Sequence, residues 1–137
     1  WKTQEKVREV MDRFYSSAPD GYCGDEDNGQ TSAWYVFSSM GFYPVCPGSG
    51  QYALGSPLFR KLVLNFPEGR TLEISAPDNS EDNRYVTSVT LDGRRIDKNY
   101  ITMDQLKDGA VLKFRMSDEP DRHRGTSAEA APYSFSD

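Results

Sequence analysis

Histidine, cysteine and long apolar runs are what this chain has least of. A single histidine and two cysteines do not make the pattern of a zinc site. No apolar run approaches the roughly 20 residues that a membrane-spanning helix needs. Basic residues are also outnumbered, with 16 Lys and Arg against 21 Asp and Glu, and the net charge of −5 argues against a nucleic-acid-binding protein.

The 137 residues have the length of one domain, or of one domain with part of another. The composition is polar for a globular chain, with a mean hydropathy of −0.72. The first residue is Trp1, not Met, and no signal-peptide pattern follows it. We therefore expect a piece of a longer polypeptide, with any export signal outside these residues.

Two stretches have the apolar periodicity of helices. In residues 1–15, apolar side chains recur at helical spacing from Val7 to Phe14, which predicts an amphipathic helix. Residues 30–40 predict a second helix, which Gly41 ends. The second helix is apolar on almost every side, as is typical of a buried helix, and one neighbouring helix cannot cover it.

After residue 59 the apolar spacing changes from helical to alternating. Residues 42–59 contain several prolines and glycines and predict an irregular connector. Alternation then predicts short strands, and Asp92-Gly93 predicts a type I′ hairpin turn between two of them. Short strands with frequent turns are typical of an antiparallel sheet or sandwich, so the predicted fold class is α+β. Residues 118–137 are polar and are expected to form a loosely held tail.

Three acidic residues stand together in the loop GDEDNG, residues 24–29. One interpretation is a solvated turn in which Asp27 or Asn28 caps the helix that follows. A second is an EF-hand calcium loop, but Val36 stands at the twelfth position, where that loop needs a Glu. A third is catalysis, in which Asp25 and Asp27 share one site, one as a base and the other as its partner.

The two cysteines flank this loop and the second helix. Cys23 comes directly before the loop, and Cys46 lies in the connector. Their separation in space does not follow from their positions in the sequence. A disulfide in an oxidising compartment and a pair of buried thiols therefore both remain open.

Three ordered motifs carry a resemblance to a known family. They are GDEDNGQTSAWY at residues 24–35, MGFYPVCPG at 40–48 and YALGSPLF at 52–59. Together they resemble the C-terminal end of glycoside hydrolase family 92, which contains calcium-dependent, inverting exo-α-mannosidases, many of them α-1,2-mannosidases. The resemblance runs from about Trp1 to about Gly125.

The resemblance implies a domain division and a location. Residues 1–59 would hold the last helices and the base loop of an (α/α)6 barrel, residues 60–117 an antiparallel β region, and residues 118–137 the polar tail. The partners implied are mannose-containing glycans and the missing N-terminal part of the same enzyme. The implied location is the periplasm or the outside of the cell.

The resemblance also assigns roles to the acidic loop. Asp27 stands where the family keeps its general base, and Asp25 would orient the base or the attacking water. The general acid, a Glu, and the Ca²⁺ ligands would lie upstream of this chain, so no metal ligand is assigned here and Glu5 is interpreted as a surface helix residue. Without the acid, these 137 residues would be inactive alone.

A second hypothesis belongs to a different class. The β region could be a non-catalytic carbohydrate-binding or structural module. The acidic loop and the apolar helix after it favour the enzyme, because a binding module would need neither. In the same helix, Trp34 is expected to pack in the core rather than stack on a sugar ring.

Overall fold

The fold combines helices with two β-sheets. A computed structural model describes residues 1–135, which form three α-helices and eight β-strands. The helices are α1 (Lys2–Phe14), α2 (Gln30–Met40) and α3 (Met103–Leu106). The strands are β1 (Phe42–Tyr43), β2 (Gln51–Leu54), β3 (Lys61–Asn65), β4 (Thr71–Ser75), β5 (Tyr85–Leu91), β6 (Arg94–Arg95), β7 (Tyr100–Thr102) and β8 (Ala110–Ser117).

The larger sheet is mixed, which refines the expected antiparallel arrangement. Its strand order is β3-β4-β8-β5-β6, and β4 and β8 run parallel, with Leu72 opposite Ala110. The remaining pairs in this sheet are antiparallel. A parallel pair needs a crossover connection, and β5 to β7 with α3 form it here. The α+β fold class predicted from the sequence is confirmed.

Strand β8 lies in the centre of this sheet and shows why the alternation was informative. Its burial alternates strictly, since Leu112 and Phe114 are fully buried and Lys113 and Arg115 are exposed. Successive side chains of a strand point to opposite faces, so one face joins the core and the other meets solvent. The largest fully buried core side chains are Phe114, Leu72, Ile74, Ile101, Leu112 and Val89.

The hairpin between β5 and β6 has the predicted turn. Asp92 has φ 49° and Gly93 has φ 77°, and Leu91 pairs with Arg94 across the turn. Two consecutive residues with positive φ are the requirement of a type I′ turn. The Asp92 carboxylate also accepts a hydrogen bond from the Val111 amide at 2.7 Å, which fastens the turn to β8.

The connector predicted for residues 42–59 contains more regular structure than expected. Strands β1 and β2 form in it, and with β7 they make a second, three-stranded antiparallel sheet of order β1-β2-β7. Phe42 pairs with Leu54, and both are buried. Strands of two and four residues give too few alternations for a sequence pattern to reveal them.

The loosely held tail is a wrong prediction for residues 118–135. Arg124 donates hydrogen bonds to the Asn99 side chain and to the carbonyls of Ile96 and Lys98. The backbone amide of Asn99 donates to the carbonyl of Ala130 at 2.8 Å, and Ala130 is buried. Polar hydrogen bonds, not apolar burial, therefore hold this segment, which is why its composition suggested a free tail. Residues 136–137 lie outside the described part.

Arg8 joins α1 to the β region. Its side chain is only 4% exposed, and it donates to the Pro57 carbonyl at 2.8 Å, to Asn79 Oδ1 at 3.0 Å and to the Ser80 carbonyl at 3.3 Å. Burial lowers the pKa of the guanidinium, which nevertheless stays charged because arginine does not deprotonate in proteins. A single charged side chain thus ties the helical part to two separate loops.

We expect Arg8→Ala to lower the free energy of unfolding by about 3 kcal/mol, because hydrogen bonds to a charged group are strong and the buried acceptors lose their donor. Arg115→Ala is the matched control, since Arg115 is exposed on β8. Chemical denaturation of both variants measures the difference. Equal denaturation midpoints for the two would contradict this account of Arg8.

Helix α2 is less buried within these residues than its apolar sequence predicts. Met40 is buried, but Val36 is 53% exposed and Ala33 is exposed as well. Phe42, in the strand β1 that follows, packs its ring edge-on against Phe37 near the C-terminal end of the helix. A helix that is apolar all round needs partners on every side, and the described part of the chain covers only some of them.

Candidate functional site

The acidic loop has an unusual backbone. Asp27 (φ 49°), Asn28 (φ 61°) and Gly29 (φ 86°) are three consecutive residues in the left-handed region. Gly29 adopts this conformation without steric cost, whereas it costs Asp27 and Asn28 free energy, although Asp and Asn adopt it more readily than most residues. Strained backbone of this kind clusters at functional sites, where the surroundings hold it in place.

The start of α2 differs from the predicted cap. The N-cap residue is Gly29, and neither Asp27 nor Asn28 caps the helix through its side chain. Instead, Glu26 Oε1 accepts a hydrogen bond from the Ser32 amide at 3.0 Å, in the first turn of the helix. With Asp27 and Asn28 in the left-handed conformation, neither side chain bonds the helix, and Glu26 supplies the hydrogen bond to its first turn instead.

A second tie runs through Thr31, which is buried in the first turn of α2. Its Oγ1 donates to the Asp25 carbonyl at 3.0 Å, and its own carbonyl accepts from the Tyr15 hydroxyl at 3.2 Å. Burial raises the pKa of Tyr15, and the nearby Cys23 and Glu26 add to the shift. The hydroxyl therefore keeps its proton and remains a donor to the Thr31 carbonyl across the neutral range.

Aromatic rings pack beside the loop. Tyr15 stacks on Trp34 with ring centroids 5.6 Å apart, and it also contacts the rings of Tyr35 at 4.8 Å and Tyr22 at 6.0 Å. Such ring pairs contribute more stabilising free energy than the burial of the rings alone would. Trp34 is half-buried and stacks on Tyr15, outside the hydrophobic core of the described residues, so the prediction that it packs in the core is not confirmed. The sequence placed Tyr15 at the end of the helix predicted for residues 1–15 and gave no signal for these ring contacts, which depend on the tertiary fold.

Asp25 and Asp27 take no part in this ring packing. Both residues are exposed, and within residues 1–135 neither carboxylate makes a hydrogen bond or a salt bridge. Glu26, between them, is half-buried. The loop therefore offers two unpaired carboxylates, which can accept a proton from water or bind a polar ligand.

The residues present do not fit a calcium site. Within residues 1–135, no group of three or more His, Cys, Asp and Glu side chains is arranged to hold a metal ion. Ca²⁺ requires about 6–8 oxygen ligands, far more than two exposed carboxylates provide. Glu5 accepts a hydrogen bond from Tyr85 at 3.4 Å, so it links α1 to β5.

The two cysteines that flank the acidic loop and α2 are not bonded to each other. Cys23 is exposed and Cys46 half-buried, and both are free thiols. Neither the disulfide nor the buried pair of thiols is therefore present. None of the helices in the described part of the chain has the length and apolar character to cross a membrane.

Comparisons with known proteins agree with the loop motifs. The family model described as the glycosyl hydrolase family 92 catalytic domain matches residues 1–118. A solved family 92 inverting mannosidase from Bacteroides thetaiotaomicron is 54% identical with a TM-score of 0.92, over 100% of this chain and 19% of its own. A family 92 α-mannosidase from the same bacterium is 41% identical with a TM-score of 0.93, over 98% of this chain and 18% of its own.

A curated fungal relative gives a more distant match. It is an uncharacterised secreted glycosidase from Arthroderma benhamiae, 26% identical over 108 residues, which are 77% of this chain and 14% of that protein. Together with the carboxylate loop, the matches place the chain among the glycoside hydrolases. The chain belongs to glycosyl hydrolase family 92. It spans less than a fifth of the length of each of these three relatives.

Proposed function

We propose that these residues are the C-terminal part of a calcium-dependent, inverting exo-α-mannosidase that removes terminal α-1,2-linked mannose from glycans. The observation that carries the proposal is the pair of exposed, unpaired carboxylates of Asp25 and Asp27 on a loop with a constrained backbone. Membership of family 92 and 54% identity to an inverting mannosidase support it. The secreted fungal relative supports a location in the periplasm or outside the cell.

The chemistry of inversion assigns the roles. An inverting glycosidase needs a general acid and a general base about 6.5–9.5 Å apart, with the attacking water between the base and the anomeric carbon. Asp27 takes the water's proton as the general base, and Asp25 orients the base or the water. The loop is held by α2 and by Tyr15 on the side away from solvent, so both carboxylates face the solvent from which water and substrate come.

The other half of the chemistry lies outside this chain in our proposal. The chain covers 18–19% of the two bacterial neighbours, and α2 exposes Val36 where a barrel helix would be covered. We assign the general acid, the Ca²⁺ ligands and the remaining barrel helices to the rest of the polypeptide. The 137 residues alone are then inactive. A non-catalytic β module is less well supported, because the free carboxylates belong to the helical part.

The product anomer tests this proposal. We expect the full-length enzyme to release mannose from an α-1,2-linked disaccharide with β-mannose as the first product, because inversion converts the α-linkage to the β-anomer. Proton NMR during the first minutes of the reaction identifies the anomer. The 137-residue chain, assayed in parallel, should release no mannose. Initial α-mannose, or turnover by the short chain, would contradict the proposal.

A further inference from the structure

We propose that Glu26 is a positioning residue, which holds the acidic loop so that Asp27 can act as the base. This inference rests on the proposed function and adds a residue to it. Glu26 lies between the two candidate acids in the sequence, yet it makes different contacts. Asp25 and Asp27 are exposed and unpaired, whereas Glu26 is half-buried and hydrogen-bonded to α2.

The hydrogen bond from Ser32 connects the two ends of the strained segment. Glu26 Oε1 lies 3.0 Å from the Ser32 amide, and the three left-handed residues, Asp27 to Gly29, stand between them. The first turn of a helix has unsatisfied amides and a positive dipole end, and both favour a carboxylate there. Closing the loop from Glu26 to Ser32 therefore fixes a backbone that costs free energy by itself.

Glu26 is a costly residue to place here if its only role is to cap the helix. Its second carboxylate oxygen, Oε2, is buried, and among the described residues it has no hydrogen-bond partner. Leaving a buried acceptor unsatisfied is unfavourable, and native proteins retain few such groups. A side chain needed only for helix capping could be a short Ser, Thr, Asp or Asn at the N-cap itself. Glu26 lies three residues before the N-cap residue Gly29, and its longer side chain reaches forward to the Ser32 amide. Asp27 and Asn28 therefore need not bond the helix.

Asp25 and Asp27 are held unequally. The Asp25 carbonyl accepts from the buried Thr31 Oγ1 at 3.0 Å. The backbone bonds of the first helical turn to the carbonyls of Glu26 and Asp27 are long, at 3.3 Å each. Removing the Glu26 side chain therefore leaves Asp25 tied and frees Asp27. A displaced base slows the chemical step more than it weakens substrate binding.

The test uses the full-length enzyme with Glu26→Ala, Glu26→Gln and the control Glu119→Ala, whose side chain is exposed far along the chain. We expect Glu26→Ala to lower kcat by about 10- to 100-fold, the typical effect of a misplaced catalytic group, with KM changed by less than about twofold. Glu26→Gln should recover most of kcat, because its amide oxygen still accepts from Ser32. Glu119→Ala should keep the wild-type constants.

Amide hydrogen exchange of the loop gives a readout that does not depend on activity. We expect residues 25–32 to exchange about tenfold faster in Glu26→Ala than in wild type, because a hydrogen bond to a charged group is lost, and Glu26→Gln to lie near wild type. Unchanged exchange, or a normal kcat in Glu26→Ala with only a lower Tm, overturns the proposal.

The variants separate this inference from the proposed function. If Glu26→Gln is as inactive as Glu26→Ala, the charge of Glu26 takes part directly and the positioning role is overturned. If the wild-type enzyme releases no mannose, the proposed function fails, while faster exchange in Glu26→Ala, restored in Glu26→Gln, still supports Glu26 as the residue that holds the loop.

Discussion

Asp27→Asn in the full-length enzyme should lower the rate of mannose release by about 10²–10⁴-fold, the usual contribution of a general acid or base. Asn has the shape of Asp but cannot take a proton from water. It also tolerates the left-handed conformation of Asp27, with φ 49°, so the loop should keep its backbone. Initial rates on an α-1,2-linked mannose disaccharide measure the effect. A near-normal rate would move the base to Asp25.

The adjacent acid provides the matched comparison. Asp25 is also exposed, but its position is tied through its carbonyl to Thr31, and this tie does not involve the carboxylate. Asp25→Asn should therefore keep the fold of the loop and cost less activity than Asp27→Asn, because Asp25 only orients the base or the water. A larger loss at Asp25 than at Asp27 would exchange the two roles.

The regular elements followed from the sequence where the apolar pattern was long enough. Helix α2 has the predicted bounds, Gln30–Met40, and β8 has the period-two alternation by which the strands were predicted. Strand β1 could not be predicted from the sequence, because two residues are too short for an apolar pattern. The ordered tail around Arg124 could not be predicted either, because polar hydrogen bonds hold it. The parallel pairing of β4 with β8 depends on the crossover, which no local pattern encodes.

The candidate site was located by its motif but not in its geometry. The sequence identified the loop with Asp25 and Asp27, and the structure shows both exposed and unpaired. The interpretation that Asp27 or Asn28 caps the helix was wrong, because capping preferences assume an ordinary backbone before the helix. Three positive φ angles redirect those side chains and leave Glu26 to bond the helix. An acid six positions before its amide partner has no established sequence signal.

Calcium removal should abolish the activity of the full-length enzyme without involving the acidic loop. We expect a chelator to lower the rate of mannose release by at least about 10²-fold, since a catalytic metal ion stabilises a transition state by several kcal/mol, and added Ca²⁺ to restore it. Within residues 1–135 no three ligating side chains converge, and our proposal assigns the Ca²⁺ ligands to the rest of the enzyme. Initial rates with and without chelator measure the effect.

The position of the metal ligands is tested by the same variants. Asp25→Asn and Asp27→Asn should bind Ca²⁺ in the full-length enzyme with wild-type affinity in titration calorimetry, although the second is nearly inactive. The 137-residue chain should show no Ca²⁺ binding heat, because the two exposed carboxylates of the acidic loop fall far short of the roughly 6–8 oxygen ligands that Ca²⁺ takes, and no three ligating side chains converge within residues 1–135. Weaker binding in either variant would place the acidic loop among the ligands. If the weaker binding is that of Asp27→Asn, Asp27 holds the metal and its role as the base has to be given up.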